Sequence, residues 1–577
     1  MTRYLVTSAL PYANGAPHFG HVCGAYLPAD VYVRTLRRQG DDVAFICGTD
    51  EYGVAITIGA EENGQEYPEY VAHWREVISD LFTRLGIEFD IFSGTSISPQ
   101  HPETAQQFFR ELDAQGYLEK RANDQLYCTH DDMFLADRYV LGTCPKCGFP
   151  DARGDECPSC GSWLDPLDFE DPRCGICGNT PAPRTTTHWF LDIPKLRDDF
   201  IGRWIEEHSW KPNVEKFIQN LLKDVPQRAI TRDMRWGVPV PEDMAGGEVG
   251  KVLYVWFDAP IGYISFTKEW CAARGEDPSA WEAYWKGDDA KIVHFIGKDN
   301  IPFHCMVFPS MLYGTKAGYQ LPWHVPANEF YNLQGRKFST SGGWTIDLED
   351  FFSRYDAEAA RFYLLSSLPE TSDSEFLWEE FQRTVNSSLA GTIGNLATRV
   401  LKFIVKNFDG RIPPLHEAHR EEMEQVLFEE CGAIGDPAEH VHAFRFRKAA
   451  EQLVANASVA NVFVDRLAPW ALRKTDLEKA ESALNILCEW IGWVSSWMTP
   501  FMPNKAQRLW EMLGQEGEIA SKPWPGIPQA GDWRRLETGT PLGEVEGLFP
   551  RIDDDAIKGE IEALEARAAA AEATSDA

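Results

Sequence analysis

Nowhere in the 577 residues is there a run of about 18 apolar side chains, so no helix is expected to cross a membrane. Residues 1–10 run directly into a strand-like segment and lack the long apolar core of a signal peptide, which makes a cytoplasmic protein the simple reading. Positive charge is scarce: 55 Lys and Arg face 88 Asp and Glu, a net −33. That balance excludes non-specific nucleic-acid binding by the whole chain, so a phosphate-bearing partner must be met by local basic patches. The acidity suits ordinary solubility and a high-salt habitat equally. No internal repeat is present. The composition is 44% hydrophobic and 12% aromatic, enough for several cores, and the length suggests about three or four domains.

Cysteine is thin outside one region, where seven of the 13 lie between Cys128 and Cys177. In a cytosolic chain such clustering favours metal over disulfides. Cys144-Pro-Lys-Cys147 and Cys157-Pro-Ser-Cys160, each followed by glycine (Gly148, Gly161), give C-x2-C-x9-C-x2-C. Two such knuckles can present four thiolates tetrahedrally as a closed zinc site, which shapes the fold and leaves no open position for catalysis. A third pair, Cys174-Gly-Ile-Cys177, lacks a matching fourth pair, and upstream sits Cys128-Thr-His130-Asp131. Two readings stand here: a second zinc on Cys128, Cys174, Cys177 and either Asp131 or His130, or an eroded knuckle held by packing.

Residues 3–9 read as a buried strand, 18–39 as a helix stopped by Gly40, and 42–48 as a second strand, a βαβ unit of a parallel sheet. Helical patterns follow at 68–85 and 101–115. Residues 116–190 break into short runs with Pro/Gly turns and read as an insertion. Residues 251–257 and 291–297 read as further buried strands that resume the sheet, with a helix over 263–274. From 355 the pattern is helical (356–368, 378–407, 421–434, 438–464, 476–496, 502–513), as in a bundle, and the chain closes on a polar Ala/Glu-rich helix with a frayed tail.

His18-Phe19-Gly20-His21 opens the first helix directly after the first strand, at the carboxyl end of a parallel sheet, where ligands bind. Helix N-termini favour anions, and two imidazoles there can bond phosphate oxygens. Residues 333–344 (Leu-Gln-Gly-Arg-Lys-Phe-Ser-Thr-Ser-Gly-Gly-Trp) gather cations, hydroxyls and glycines in a second anion-binding pattern, yet lack the G-x-x-x-x-G-K-[ST] order of a P-loop.

These two stretches resemble the HIGH-type turn and the KMSKS-type loop of class I aminoacyl-tRNA synthetases. The resemblance sharpens to the methionyl-tRNA synthetases through residues 9–15, 45–53, 134–139, 256–263 and 295–299, and extends from residue 3 to about 550. It implies an α/β fold: a Rossmann-like parallel-sheet catalytic domain with a zinc-knuckle insertion, followed by an all-α C-terminal helix bundle. The implied segments are 1–115 and 216–330 (catalytic domain), 116–215 (insertion), 331–378 (lysine loop and stem contact), 379–545 (anticodon-binding) and 546–577 (tail). It further implies ligation of L-methionine to tRNA(Met), initiator included, using ATP with Mg2+ through a methionyl-adenylate.

By the same resemblance, Leu10, Tyr12, Trp256, Ala259, Pro260, Tyr263, Ile264 and His304 form a methionine pocket, with Asp50 on the ammonium group. Flat aromatics suit a flexible, polarisable thioether. His18, Gly20, His21, Gly297, Lys298, Asp299, Lys337 and Thr340 correspond to the ATP site, and His18, His21, Lys337 and Arg232 to the catalytic set. Asn395, Arg399, Pro469 and Trp470 correspond to anticodon readers; Asn395 and Arg399, four apart, share a helix face. Where the family loop has a second lysine this chain has Thr340, and where arginine often follows it has Gly342, so Lys337 is expected to carry the role largely alone. Only a short tail follows Pro550, from which a monomer without an appended OB-fold tRNA-binding domain is expected.

Overall fold

The computed structural model describes residues 2–575 apart from 137–138, 155–156, 158, 161–163, 224, 247–249 and 341. Ser341 of the lysine loop, Gly161 of the second knuckle and residues 137–138 of one family stretch therefore lie outside the described residues.

Five strands form one wholly parallel sheet in the order Ala327–Asn328, Ala290–Gly297, Arg3–Ser8, Asp42–Thr49, Ile91–Gly94. Its central strands are near-continuous apolar runs because helices cover both faces. The first strand leads through Ala9–Tyr12 into Phe19–His21, a π-type turn at Val22–Tyr26, and the helix Leu27–Arg38. Two outer strands, Ile91–Gly94 and Ala327–Asn328, escape sequence reading because they are too short to show a period.

Residues 251–257 correct one expectation. Only Lys251–Leu253 is a strand, and it pairs antiparallel with Thr231–Asp233 outside the central sheet; Val255–Asp258 is helical and leads into the helix Gly262–Ala273. A short apolar run reads the same whether it is a buried strand or a buried helical turn. The insertion also differs from the expected short runs. Leu118–Cys128 pairs along its length with Ala182–Leu191, a long ribbon whose exposed polar face hides its alternation.

The C-terminal half is helical, as expected. The stretch 378–407 is one continuous run whose middle, Thr384–Gly394, has wide π-type turns. The expected helix over 438–464 is broken: Pro437–His442 and Phe446–Leu467 are separated at Phe444. There φ is 53° and the ring stacks on His324 at 4.6 Å, a tertiary contact no local pattern announces. Arg361, fully buried, joins the halves by donating to Asp30 Oδ2 at 2.6 Å and to the carbonyls of Leu85 and Phe501. The expected closing helix is present, and residues 576–577 lie outside the described residues. Asp554–Ser575 is a docked helix whose inner stripe, Ile557, Glu560, Leu564 and Ala568, is buried. Among the described residues no helix is long and apolar enough to cross a membrane.

Candidate active site

A cavity of about 590 Å³ opens at the carboxyl ends of the strands Arg3–Ser8, Asp42–Thr49 and Ala290–Gly297. It is lined by Leu10, Tyr12, Asp50, Trp256, Ala259, Pro260, Tyr263 and His304 at one end, and by His18, Gly20, His21, Gly297, Asp299, Lys337 and Thr340 at the other. The structure thus gathers residues nearly 330 positions apart into one concavity. Three residues expected there lie elsewhere. Ile264 is fully buried in the core. Lys298 pairs with Glu329 and Asp373, both at 2.8 Å. The Arg232 guanidinium lies 3.7 Å over the Tyr254 ring and donates to the carbonyls of Ala229 and Thr231.

At the helix N-terminus, His18 Nδ1 accepts the Gly20 N–H at 3.0 Å and His21 Nδ1 accepts the His18 N–H at 3.2 Å. An amide only donates, so each Nδ1 is unprotonated and each neutral ring carries its proton on Nε2. The rings stack at 3.9 Å, and Phe338 covers His18 at 4.4 Å with a 6° tilt. Burial, then the neighbouring His21, lowers the His18 pKa to about 2, and desolvation lowers that of His21, the more exposed of the two, to about 4. Two neutral Nε2–H donors result. Gly20 is required there, since a Cβ would stand 2.7 Å from the His18 ring and 3.1 Å from the Tyr331 carbonyl oxygen.

At the other end, Trp256 stacks on Phe303 at 4.1 Å and Tyr12 meets Trp256 edge-on at 6.1 Å. Tyr263 and His304 are buried, with the tyrosine oxygen 2.9 Å from His304 Nε2. His304 Nδ1 faces the Asn300 carbonyl at 3.1 Å, so Nδ1 carries the proton and Nε2 accepts the Tyr263 O–H. Asp50 is 4% exposed, and among the described residues its carboxylate takes only a long bond from the Tyr52 N–H at 3.4 Å. Burial, with Asp258 and Glu51 nearby, raises its pKa well above the carboxylate range. A cation placed against Asp50 would restore its charge.

The lysine loop is built of two tight turns. Leu333 and Arg336 exchange backbone bonds, with Gln334 and Gly335 at positive φ, and Ser339 and Trp344 exchange another pair, both at 2.9 Å. Arg336 lies 4.5 Å over the Trp344 ring, turned from the cavity. Lys337 is accordingly the one Lys or Arg lining the cavity among the described residues. Sequence reading missed Asn300, Phe303, Glu329, Tyr331 and Asn332 of the lining; the first two follow the Gly297-Lys-Asp stretch closely, and the others carry no motif.

In the insertion, the ligand atoms of Cys144, Cys147, Cys157 and Cys160 lie within 4.8 Å of one another, as do those of Cys128, Asp131, Cys174 and Cys177. A tetrahedral ion with metal–sulfur bonds near 2.3 Å needs sulfurs about 3.8 Å apart; Cys147 and Cys157 are at 3.6 Å and Cys128 and Cys177 at 3.5 Å. The pairs beginning at Cys144 and Cys174 fold identically: Gly148 and Gly178 sit at φ 74° and 73°, and each N–H bonds the first cysteine's carbonyl at 2.9 Å. In the second set Asp131 Oδ2 lies 3.1 Å from both Cys128 and Cys174 sulfurs, while His130 meets the other oxygen at 3.0 Å. Asp131 rather than His130 faces the sulfurs. Both sets could hold a metal ion.

In the helical half, Asn395 is exposed, and Arg399 lies 4.3 Å over the half-open Trp470 ring while pairing with Asp465 at 2.8 Å. Pro469 begins the short helix Pro469–Leu472 after the left-handed Ala468 and is itself buried.

Comparison with known proteins agrees with this geometry. Residues 4–401 match the family model of class I tRNA synthetases (M), and residues 416–572 that of the anticodon binding domain of methionyl tRNA ligase. The methionine–tRNA ligase of Protochlamydia amoebophila is 43% identical over 564 residues, covering 97% of this chain and 79% of that protein. That of Pyrococcus furiosus is 39% identical over 578 residues, 96% of this chain and 76% of its own length. The structure of Mycobacterium tuberculosis methionyl-tRNA synthetase in complex with methionyl-adenylate superposes with a TM-score of 0.74 at 25% identity, covering 96% of this chain and 100% of that one. A parallel sheet with a cavity at its switch point, a Cys-rich insertion and a matching helical half converge on one assignment: the chain belongs to the methionyl class I tRNA synthetases.

Proposed function

We propose that the protein is a methionine–tRNA ligase working in the cytoplasm, where 13 free cysteines suit a reducing compartment. The observation that carries this reading is one cavity joining an aromatic pocket with a buried carboxylate, which has no cationic partner among the described residues, to a neutral histidine pair and one lysine. Methionine sits with its ammonium group on Asp50 and its thioether among Tyr12, Trp256, Tyr263 and His304, with Leu10, Ala259 and Pro260 closing the walls. ATP enters with its Mg2+ as one substrate. Its phosphates meet Nε2–H of His18 and His21, and Lys337 and Thr340 approach from the loop.

The methionine carboxylate attacks the α-phosphorus, the bond to the bridging oxygen breaks, and pyrophosphate leaves with methionyl-adenylate formed. A terminal ribose hydroxyl of tRNA(Met) then takes the acyl group and AMP departs. No covalent enzyme intermediate is needed; the residues position groups and stabilise developing phosphate charge. Gly297 and Asp299 would bound the nucleoside, with Lys298 fixed behind them by its two carboxylates. Arg232, on its own strand, would reach the reacting groups only after leaving the Tyr254 ring.

Zinc is the metal we assign to Cys144, Cys147, Cys157 and Cys160, and a second zinc to Cys128, Asp131, Cys174 and Cys177. Four protein ligands leave no open position, so both ions would shape the insertion. Asn395, Arg399 and Trp470 would read the unstacked anticodon, with Pro469 setting the platform. The test is methionine-dependent ATP–pyrophosphate exchange, followed by charging of tRNA with a CAU anticodon. Exchange with methionine and not with other apolar amino acids is expected; none with any amino acid would overturn the reading.

A further inference from the structure

The closing helix Asp554–Ser575 takes part in no step above, yet it touches the loop that carries Lys337. Gly343, at φ 67°, lies against its backbone: a Cβ there would stand 2.6 Å from the Arg567 carbonyl oxygen and 3.0 Å from its carbon. Only glycine permits this approach. Gly342 is less confined: a Cβ would come 2.8 Å from Ser339 Oγ, a rotatable side-chain atom of the loop itself. Arg567 Nη2 also donates to the Thr345 carbonyl at 3.2 Å.

Two turns earlier in the helix stands Glu560, a carboxylate only 4% exposed. Such a group is costly unless paired, and its partners stand at the end of the helix that follows the loop. It accepts the Tyr355 hydroxyl at 2.9 Å and pairs with Arg354, which ends the helix Leu348–Arg354. Ile557, Leu564 and Ala568 pack into the same core as Trp344 and Phe351. The Trp344 indole N–H in turn donates to the Leu333 carbonyl at 2.7 Å. The two turns flanking Lys337 are thus pinned to each other and, through Gly343, to the closing helix.

We propose that this helix is a positioning element for the lysine loop: Glu560 and the Arg567 backbone hold the turn at Gly343 where Lys337 meets the cavity. The proposal rests on the ligase reading. It also gives a physical reason for the glycine at 343: the space a side chain would use there is filled by the helix backbone.

The test compares Glu560→Ala and Gly343→Ala with the wild-type full-length chain. A small displacement of a loop that completes a site lowers turnover more than binding, so kcat for ATP–pyrophosphate exchange is expected to fall about tenfold, with KM for methionine within about twofold. Trypsin should cut after Arg336 and Lys337 several times faster, and Glu560→Gln, which still accepts the Tyr355 bond, should recover most of both. Lys558→Ala, 74% exposed on the outer face, should change neither. If Glu560→Ala does not fold, Tyr355→Phe removes a single bond of the same set. Unchanged kcat and cutting rate would overturn the proposal, as would a KM for methionine that rises with the fall in kcat. A wild-type chain inactive with every amino acid would sink the ligase reading alone, and the cutting rates would still judge the helix–loop contact.

Discussion

The Tyr263 hydroxyl donates to His304 Nε2 across 2.9 Å, and His304 passes its own Nδ1 proton toward the Asn300 carbonyl. A directed polar relay is thereby sealed inside an otherwise aromatic pocket. Tyr263→Phe leaves the His304 acceptor buried without a partner, a loss of about 1–3 kcal/mol. The expected result is a KM for methionine raised roughly tenfold, with kcat changed much less. Steady-state exchange kinetics check this, and a loss confined to kcat would move the relay's role from binding to chemistry.

Lys337→Ala removes the one Lys or Arg of the cavity lining among the described residues. Removing a preorganised stabiliser of transition-state charge typically costs about 10²–10³ in kcat. That fall is expected in methionine-dependent exchange, with methionine binding little altered. Near-normal exchange would mean that another cation, such as Arg336 released from Trp344, does the work.

Burial lowers the pKa of His304 to about 4, whereas an unfolded histidine titrates near 6.5. Between those values the unfolded chain holds the extra proton, so stability rises with pH. The contribution is complete above about pH 6.5 and drains away as pH falls toward 4, reaching roughly 3 kcal/mol. His101, lowered to about 3 by burial, acts with the same sign. Urea midpoints should decline from pH 7 through 6 to 5; a flat series would contradict the neutral, buried state of both rings.

Much of this was legible in the sequence, for identifiable reasons. The strands 3–9 and 42–48 announce themselves because parallel strands buried on both faces are continuous apolar runs, and the knuckles because ligand spacing is fixed by the metal. Illegible features depend on distant partners. Phe444 breaks a helix to stack on His324, Arg336 turns to Trp344, and the closing helix hides its buried face behind one glutamate in an Ala/Glu repeat. Residues 251–257 mislead because burial erases the difference between the two periods.

Trp470, half open and capped by Arg399 at 4.3 Å, offers a face for one base. Stacking contributes about 1–3 kcal/mol per base. Trp470→Ala should lower the charging efficiency of tRNA with a CAU anticodon by about one to two decades while leaving exchange untouched. A parallel loss of exchange would show that the residue supports the fold instead.

Metal analysis of the purified chain should return two zinc ions. Cys157→Ser should remove one of them and lower the melting temperature, and Asp131→Ala the other. Retention of both ions in either variant would exclude the altered residue as a ligand.

The tautomers of His18 and His21 carry a last consequence, in ionic strength. Two neutral dipoles grip phosphate through short, local bonds, and salt screens dipoles far less than separated charges. On the proposed reading the helical half meets nucleic acid through Arg399, a contact that exchanges counterions and weakens as salt rises. In a chain of net charge −33 the two half-reactions are then expected to answer differently to the same solution: adenylate formation should persist into salt concentrations at which the grip on tRNA has already loosened.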